Sequence, residues 1–251
     1  MSFAVTSQVR SSFAFNLILH SAFCITPSRG CWARKREEHR GAARFVTATM
    51  LRFILFLLVS TSAFAQTADP KPLVEKALAA VGGKDKLLKT FRIQEIFHFG
   101  STPEPAEGKK RSTRESILSQ PDKWWINKKE RGTEPAKDDV RAWSLDLLVD
   151  EKSRIEAIPD LTDEGKACFG LQVSGSVDPA MKFYFDKETN LLHRLDWRSD
   201  FYRFTDWKEH DGLKFASRTI IFKKKDDKPW FYHEVTELER LAQLPEGLGE
   251  P

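Results

Sequence analysis

The chain has 251 residues, of which 41% are hydrophobic and 30% are charged, so it is long enough for one large or two small domains with a packed core. Residues 1–65 carry eight Lys or Arg and two Glu, which leaves 32 basic and 34 acidic residues in the remainder, a net charge of −2. This near-neutral balance argues against a nucleic-acid-binding surface, because binding to phosphates requires an excess of Lys and Arg on one face.

The segment that begins at Met50 has the three parts of a secretory signal peptide. A basic start and a short apolar run are followed by a small-x-small motif that ends at Ala65. The apolar run is too short to span a bilayer, which takes about 20 residues. We therefore predict a signal peptide over residues 50–65, cleaved between Ala65 and Gln66.

Residues 1–49 form a polar prefix that a signal peptide does not normally carry. The preferred interpretation is that Met50 is the initiator and that 1–49 is a non-native extension, upstream sequence read as protein. The alternative is a Ser- and Arg-rich organelle transit peptide. With the signal removed, residues 66–251 are predicted to form a single β domain in the periplasm or outside the cell, in the envelope of a Gram-negative-type bacterium.

The exported part begins with a helical pattern and continues as strands. Apolar residues recur at helical spacing from Pro70 to Leu87, with Gly82-Gly83 ending the first segment, and a short helix is predicted over 138–149. Apolar and polar residues alternate in the segments predicted as strands: 91–99, 111–118, 123–129, 153–158, 167–174, 180–185, 191–197, 202–210, 213–223 and 230–241.

Tight turns connect these strands. Asp211-Gly212 is the strongest hairpin signal, and the segments 186–190 and 225–228 are polar turns, the first with Asn190 at a position that tolerates left-handed geometry. Strands joined by tight turns pair antiparallel, because parallel pairing needs long crossovers. The predicted fold is mainly β (α+β): a curved antiparallel sheet, or half-open β-barrel, with an N-terminal helix covering the concave face.

Motifs for catalysis, metal binding or cofactor binding do not occur in the sequence. The histidines of the exported part sit singly on predicted strands and not as helical pairs: His98, His193, His210 and His233. Cys168, without a cysteine partner after the leader, is interpreted as a small core residue. We therefore predict no catalytic residue, no metal ligand and no cofactor.

Aromatic residues are the most informative signal in the predicted strands. A curved sheet with one helix presents a concave face larger than the helix can fill, and an aromatic concavity is a natural apolar ligand site. Trp124 and Trp125 are adjacent on a strand and so face opposite sides. The residues predicted to bind ligand are Phe97, Phe99, Trp124, Trp125, Phe183, Phe185, Phe204 and Phe222.

The order of several motifs resembles that of a known superfamily. The motifs are Val81-Gly-Gly-Lys84, Gln120-Pro-Asp-Lys-Trp124, the segment 183–192, the segment 204–213, and Glu234-Val-Thr-Glu237. In this order they resemble the LolA/LolB-like superfamily of outer-membrane lipoprotein-sorting proteins, in its divergent branch, over most of residues 71–240. The resemblance implies a half-open antiparallel β-barrel with a helical lid over an apolar cavity, in which members of the superfamily carry acyl chains or other lipophilic groups across the periplasm.

The sequence departs from the superfamily pattern between Lys129 and Ser153, where relatives place additional strands and lid helices. The leading hypothesis is a non-catalytic exported carrier or sensor of a lipophilic group, a lipid or the acyl chain of a lipid-modified protein, that acts as a monomer and makes transient membrane contact. The alternatives are a hydrolase-type enzyme with a His/Asp/Glu site in the same concavity, and an envelope scaffold that binds a protein partner.

Overall fold

A computed structural model describes residues 69–132 and 136–248. The predictions for residues 1–49, for the signal peptide 50–65 and for its cleavage site lie outside the described residues. The helices are α1 (Lys71–Ala80) and α2 (Ala136–Trp143), with short 3-10 helices at Lys84–Lys86 and Asp146–Leu148. The strands are β1 (Thr90–Phe99), β2 (Ser112–Ser119), β3 (Lys123–Ile126), β4 (Lys129–Glu130), β5 (Arg154–Asp163), β6 (Lys166–Ser174), β7 (Met181–Asp186), β8 (Leu192–Trp197), β9 (Asp200–His210), β10 (Leu213–Lys223) and β11 (Lys228–Arg240).

These strands form one eleven-stranded antiparallel sheet in the order β4-β3-β2-β1-β11-β10-β9-β8-β7-β6-β5. Strands that are paired in the sheet are also consecutive in sequence, except for β1 and β11. These two are the first and the last strand of the sheet in sequence. The sheet is open between its edge strands β4 and β5, and the connection between these two edges carries α2. The predicted mainly β fold with a half-open antiparallel sheet is confirmed.

The concave face of the sheet holds the core. In one half, Leu171, Phe183 and Leu195 are direct neighbours across β6, β7 and β8, and all three side chains are fully buried. Leu147 of the second 3-10 helix belongs to the same buried cluster, so the connection between the sheet edges contributes to the core of this half. Cys168 is buried, and burial raises the pKa of its thiol to about 11, as befits a core residue.

Helix α1 is attached near the β9–β10 turn. Ala77 and Leu78 are buried in the core, and the backbone N–H of Lys214 donates a 2.9 Å hydrogen bond to the carbonyl of Val81. The turn after α1 passes so close to the hairpin that a Cβ at position 82 would lie 2.0 Å from the carbonyl oxygen of Gly212. Only glycine fits at position 82, because its φ is also +110°.

Substitution Gly82→Ala is therefore expected to destabilise the fold more than Gly83→Ala. Both residues have positive φ, but a Cβ at Gly83 meets nothing within 4 Å, so only backbone strain of about 1–3 kcal/mol applies there. The steric clash with Gly212 adds a further penalty of about 1–3 kcal/mol at position 82. Urea unfolding of the two variants measures the difference, and equal midpoints would show that the close approach is absent.

The residues predicted to form turns have the backbone angles that those turns require. Asp211 and Gly212 both have positive φ, of 52° and 76°, as the hairpin signal predicts, and Asn190 has the predicted left-handed φ of 57°. The predicted helix 138–149 is divided into α2 and the 3-10 helix, since Leu145 has a φ of 59° that interrupts helical geometry. The short edge strand β4 was not predicted separately from β3.

Candidate functional site

A cavity of about 280 Å³ lies on the concave face between α2 and the sheet half formed by β3, β2, β1, β11, β10 and β9. Its walls are mainly apolar, and α2 contributes Ala136, Asp139, Val140 and Trp143. The sheet contributes Ile93, Glu95, Phe97, Phe99, Arg114, Trp124, Tyr202, Phe204, Thr219, Ile221, Trp230, Phe231, His233 and Val235.

The eight aromatic residues predicted to bind ligand are distributed over four places. Four line the cavity: Phe97, Phe99, Trp124 and Phe204. Phe183 and Phe185 are fully buried on β7 in the other half of the concave face. Phe222 stacks on Phe201 with ring centroids 4.8 Å apart, and neither ring lines the cavity. Trp125 follows Trp124 on β3 and faces the opposite side of the sheet, where it is also buried.

Four aromatic rings form the rim of the cavity. The rim consists of Phe97, Phe99, Trp230 and Phe231, which pack with centroid distances of 5.0 to 6.2 Å. Phe99 is 64% exposed, and it is the exposed large hydrophobic residue of the described part of the chain. The sequence-based site omitted Trp230 and Phe231, although both fall on a predicted strand. The antiparallel pairing of β1 with β11, which places Phe231 opposite Phe99, brings them into the site.

A buried carboxylate cluster forms one polar part of the wall. Glu95 Oε2 accepts hydrogen bonds from Arg114 Nη2 at 2.7 Å, from Arg114 Nε at 3.0 Å and from His233 Nε2 at 2.6 Å. Burial acts to raise the pKa of Glu95, but the hydrogen bonds and charges of His233 and Arg114 outweigh it and lower the pKa to about 2. Glu95 is therefore ionised in the cavity wall at neutral pH.

A second carboxyl group faces this cavity from α2. Burial raises the pKa of Asp139 to about 7, and a hydrogen bond from Tyr202 only partly offsets this effect. Tyr202 lies on β9, and burial together with the neighbouring Asp139 raises the pKa of its phenol well above the usual value. The pair links α2 to the sheet across the cavity, with the carboxyl half-ionised near neutral pH.

Substitution Asp139→Asn is expected to stabilise the protein, by up to about 4 kcal/mol above pH 7. The folded pKa of about 7 lies above the ordinary value of 3.8 for an aspartate, so the wild type loses stability as the pH rises from about 4 to about 7. The advantage of the variant should grow over this window and stay constant above it. Urea unfolding across this pH range measures it, with exposed Asp85→Asn as the control. An advantage independent of pH would contradict the raised pKa.

Several buried polar atoms have no hydrogen-bond partner, and most belong to the cavity wall. Among the described residues these atoms are Glu95 Oε1, Asp139 Oδ1, Trp124 Nε1, Trp230 Nε1 and Ser116 Oγ. All of these residues except Ser116 line the cavity. Buried polar groups in proteins are normally paired, so such a concentration in one cavity calls for a physical explanation.

Helix α2 is fixed to its surroundings mainly at its C-terminal end. The indole N–H of Trp143 donates a 2.8 Å hydrogen bond to the carbonyl of Ala216 on β10. The guanidinium of Arg141 pairs with Asp146 at 2.8 Å and with Asp150, both in the segment that follows the helix. Near its other end, Lys137 donates a hydrogen bond to the carbonyl of Asp122 in the β2–β3 turn. These contacts hold α2 over the cavity.

The histidines have separate partners. His233 bonds to Glu95 in the cavity, His193 to Asp163, His98 to the carbonyl of Thr102, and His210 pairs with Asp211. In the described part of the chain, one group of three potential ligands, Asp163, Glu164 and His193, has the spacing of a metal site, and it includes one of these histidines.

The carboxylates of that group are already paired with arginine side chains. Asp163 accepts hydrogen bonds from Arg194 at 2.9 Å and from Arg203 at 2.8 and 2.9 Å, and Arg203 also pairs with Glu164 at 2.7 Å. Two guanidinium groups against the carboxylate disfavour a metal cation through charge repulsion. The group is best described as a buried ion-pair network.

The solved structures to which this chain is similar include a domain from Vibrio parahaemolyticus described as an outer membrane lipoprotein-sorting domain (13% identity, TM-score 0.43), covering 70% of this chain and 93% of that chain. A DUF1329 family protein from Desulfovibrio piger matches at 12% identity and TM-score 0.47, covering 70% and 95%. A LolA superfamily protein from Nitrosomonas europaea matches at 8% identity and TM-score 0.45, covering 70% and 94%.

These are the kinds of protein that the sequence motifs resemble, and at such identities the likeness concerns the fold alone. No protein-family model matches the sequence, and a search of the curated proteins finds no match. Among the described residues, no helix has the length and apolar character needed to cross a membrane. The function is therefore argued from the residues of the cavity.

Proposed function

We propose that this protein is an exported, non-catalytic carrier or sensor that holds a lipophilic group in the cavity beneath α2. The observation that supports this most directly is the aromatic cavity itself, which opens at a rim where Phe99 is 64% exposed. An exposed aromatic ring beside an apolar cavity lowers the solubility of a protein. Such an arrangement is typical of ligand-binding and interaction sites.

The size of the cavity sets what it can hold. At about 280 Å³ it lies near the lower limit of ligand sites, which range over about 300–1,000 Å³. Burial of an acyl chain contributes about 0.8 kcal/mol per methylene, so a partly enclosed chain gives reversible binding. The remainder of a longer chain would lie along the aromatic rim. Reversible binding is what a shuttle between membranes requires.

The proposed setting follows from the leader sequence and from the motif resemblance. The protein would act in the periplasm or outside the cell as a monomer, with a lipid or a lipid-modified protein as its partner. Transient membrane contact would occur at the aromatic rim, where Lys223 Nζ lies 4.3 Å from the centroid of the Trp230 ring. A lysine beside half-buried aromatic rings suits the interface of an anionic membrane, and Lys223 also pairs with Asp200 at 2.9 Å.

The polar groups of the cavity favour binding over catalysis. His233 bonds to Glu95 and not to a hydroxyl or thiol that it could activate, and Arg114 clamps the same carboxylate oxygen. An envelope scaffold would be favoured by a concave face filled with its own side chains. The cavity of about 280 Å³ is an observation against that alternative.

Expression of the full chain in a Gram-negative host tests the proposal. The mass of the periplasmic protein reports whether cleavage occurs between Ala65 and Gln66, and native mass spectrometry with lipid extraction reports a bound species. We expect a stoichiometric acyl or isoprenoid lipid. A protein that carries no lipid and takes up no apolar fluorescent probe would refute the carrier function.

A cavity-filling variant makes the test specific. Val140 lines the cavity from α2, so Val140→Trp is expected to abolish lipid and probe binding while leaving the fold intact. Thr236→Trp introduces the same ring at an exposed position of β11 and is the matched control. Equal probe uptake by both variants and the wild type would show that the ligand binds elsewhere.

A further inference from the structure

The polar atoms of the cavity define the chemistry of its ligand more narrowly than the aromatic walls do. This inference rests on the proposed carrier function. Two acceptor oxygens, Glu95 Oε1 and Asp139 Oδ1, and two indole donors, Trp124 Nε1 and Trp230 Nε1, are buried without a hydrogen-bond partner. They come from four different elements, β3, β1, β11 and α2, all of which contribute residues to the wall of this cavity.

Glu95 shows why these atoms require a partner. Its side chain is 2% exposed and ionised, and all three recorded hydrogen bonds are accepted by Oε2. The other oxygen, Oε1, shares the negative charge and has no donor. A buried acceptor without a partner destabilises a protein by about 1–3 kcal/mol, more when it is charged. A ligand that donates a hydrogen bond to Oε1 would remove this penalty.

Asp139, on α2, also has an oxygen that lacks a hydrogen-bond donor. Its Oδ1 is shielded from solvent and unpaired, although the carboxyl group carries negative charge at and above neutral pH. Two acidic side chains therefore face one cavity. Solvent does not reach these atoms, so a ligand contacts them only after the side chains that shield them move.

The charges exclude both kinds of ionised head group. A fatty-acid carboxylate or a phosphate would meet the negative charge of Asp139 and the unpaired acceptor Oε1 of Glu95, neither of which can donate a hydrogen bond to it. An ammonium group would meet the guanidinium of Arg114, which also lines the cavity and already neutralises Glu95. A neutral group that donates to the carboxylates and accepts from an indole N–H matches all four atoms.

We infer that the ligand is a neutral amphiphile whose polar group, of the amide or hydroxyl class, donates a hydrogen bond to Glu95 or Asp139 and accepts one from Trp124 or Trp230. The apolar chain lies against the aromatic rim formed by Phe97, Phe99, Trp230 and Phe231. The site thereby discriminates against fatty-acid anions of equal chain length.

A series of ligands with one chain length tests this inference on the wild-type protein. Decanamide, 1-decanol, methyl decanoate and decanoate compete against a neutral apolar fluorescent probe at about pH 8, where decanoate is ionised. The amide and the alcohol carry a donor, the methyl ester only accepts, and decanoate is an anion. We expect the amide and the alcohol to bind at least about 10-fold more tightly than the other two, as for a hydrogen bond to a charged group.

Variants assign the preference to named atoms. Glu95→Gln should reduce the advantage of 1-decanol over methyl decanoate by at least about 5-fold, because the charged acceptor is removed. Glu115→Gln is the matched control, since Glu115 lies on β2 outside the cavity wall. Trp230→Phe keeps the ring but removes the donor, and it should weaken binding of the amide. If Glu95→Gln does not fold, Asp139→Asn replaces it.

The outcomes separate the two proposals. Binding of decanoate or the methyl ester as tight as that of the amide and alcohol would overturn the inference and leave the carrier function intact. Failure of the neutral probe and of all four ligands to bind would overturn the carrier function itself. A donor preference that persists unchanged in Glu95→Gln, Asp139→Asn and Trp230→Phe would place the polar group elsewhere and also overturn the inference.

Discussion

Replacement of Asp163 by Ala is expected to lower the free energy of unfolding by about 3–5 kcal/mol, because it removes the buried carboxylate that accepts hydrogen bonds from two guanidinium groups and from His193. Asp163 is 6% exposed and pairs with Arg194, Arg203 and His193, with N–O distances of 2.8 to 3.0 Å. The network joins the end of β5 to β8 and β9. Neither β8 nor β9 is adjacent to β5 in the sheet. Its loss therefore weakens a contact between distant strands, and chemical denaturation measures the effect.

The pH dependence of stability provides an independent test of this network. Burial acts to raise the pKa of Asp163, but hydrogen bonds from Arg203 and Arg194 outweigh it and hold the pKa at about 2, below the ordinary value of 3.8 for an aspartate. The stabilisation is complete above about pH 4 and is lost as the pH falls towards 2. Asp163→Asn should therefore flatten the acid limb of the stability curve.

An exposed ion pair provides the control for Asp163. Asp160 lies on the same strand and pairs with Lys187 at the surface, where its side chain is 59% exposed. Asp160→Ala is expected to change stability by less than about 0.5 kcal/mol, as is usual for exposed pairs. Similar losses in the two variants would mean that burial does not distinguish the pairs.

Local signals account for how well the fold was predicted from the sequence. Alternating residues and turn residues with positive φ, such as Asn190 and Asp211, determine strand and hairpin geometry over a few positions. Since tight turns force antiparallel neighbours, the order from β5 to β11 follows directly. The pairing of β1 with β11 places residues side by side that are far apart in sequence, such as Phe91 and Arg240. No local sequence pattern specifies this pairing.

The site was less predictable, because it depends on which half of the concave face is covered. Phe183 and Phe97 have the same strand pattern, yet one is core and the other lines the cavity. One polar signal was present in the sequence: Glu95 occupies the apolar phase of β1, between Ile93 and Phe97. A charged residue at such a position indicates a buried partner network or a site.

Some of the predicted aromatic residues lie in the core and others line the cavity, and substitutions in the two groups are expected to have different effects. Phe183→Ala is expected to lower the free energy of unfolding by about 3–5 kcal/mol, because Phe183 is fully buried and packs with Leu171 and Leu195 across the sheet. Its effect on ligand affinity should be secondary to this loss. Thermal or urea unfolding, measured beside probe titration, separates the two quantities.

Phe99→Ala is the matched substitution in the rim, with the opposite expectation. Because Phe99 is 64% exposed, its removal should change stability by less than about 0.5 kcal/mol. The same removal takes an aromatic wall from the ligand and should weaken probe binding by roughly 10-fold, the equivalent of about 1.4 kcal/mol. If Phe99→Ala instead unfolds the protein while Phe183→Ala weakens only binding, the core and the ligand site have been assigned to the wrong halves of the sheet. Stability and affinity therefore test the position of the cavity independently of the identity of its ligand.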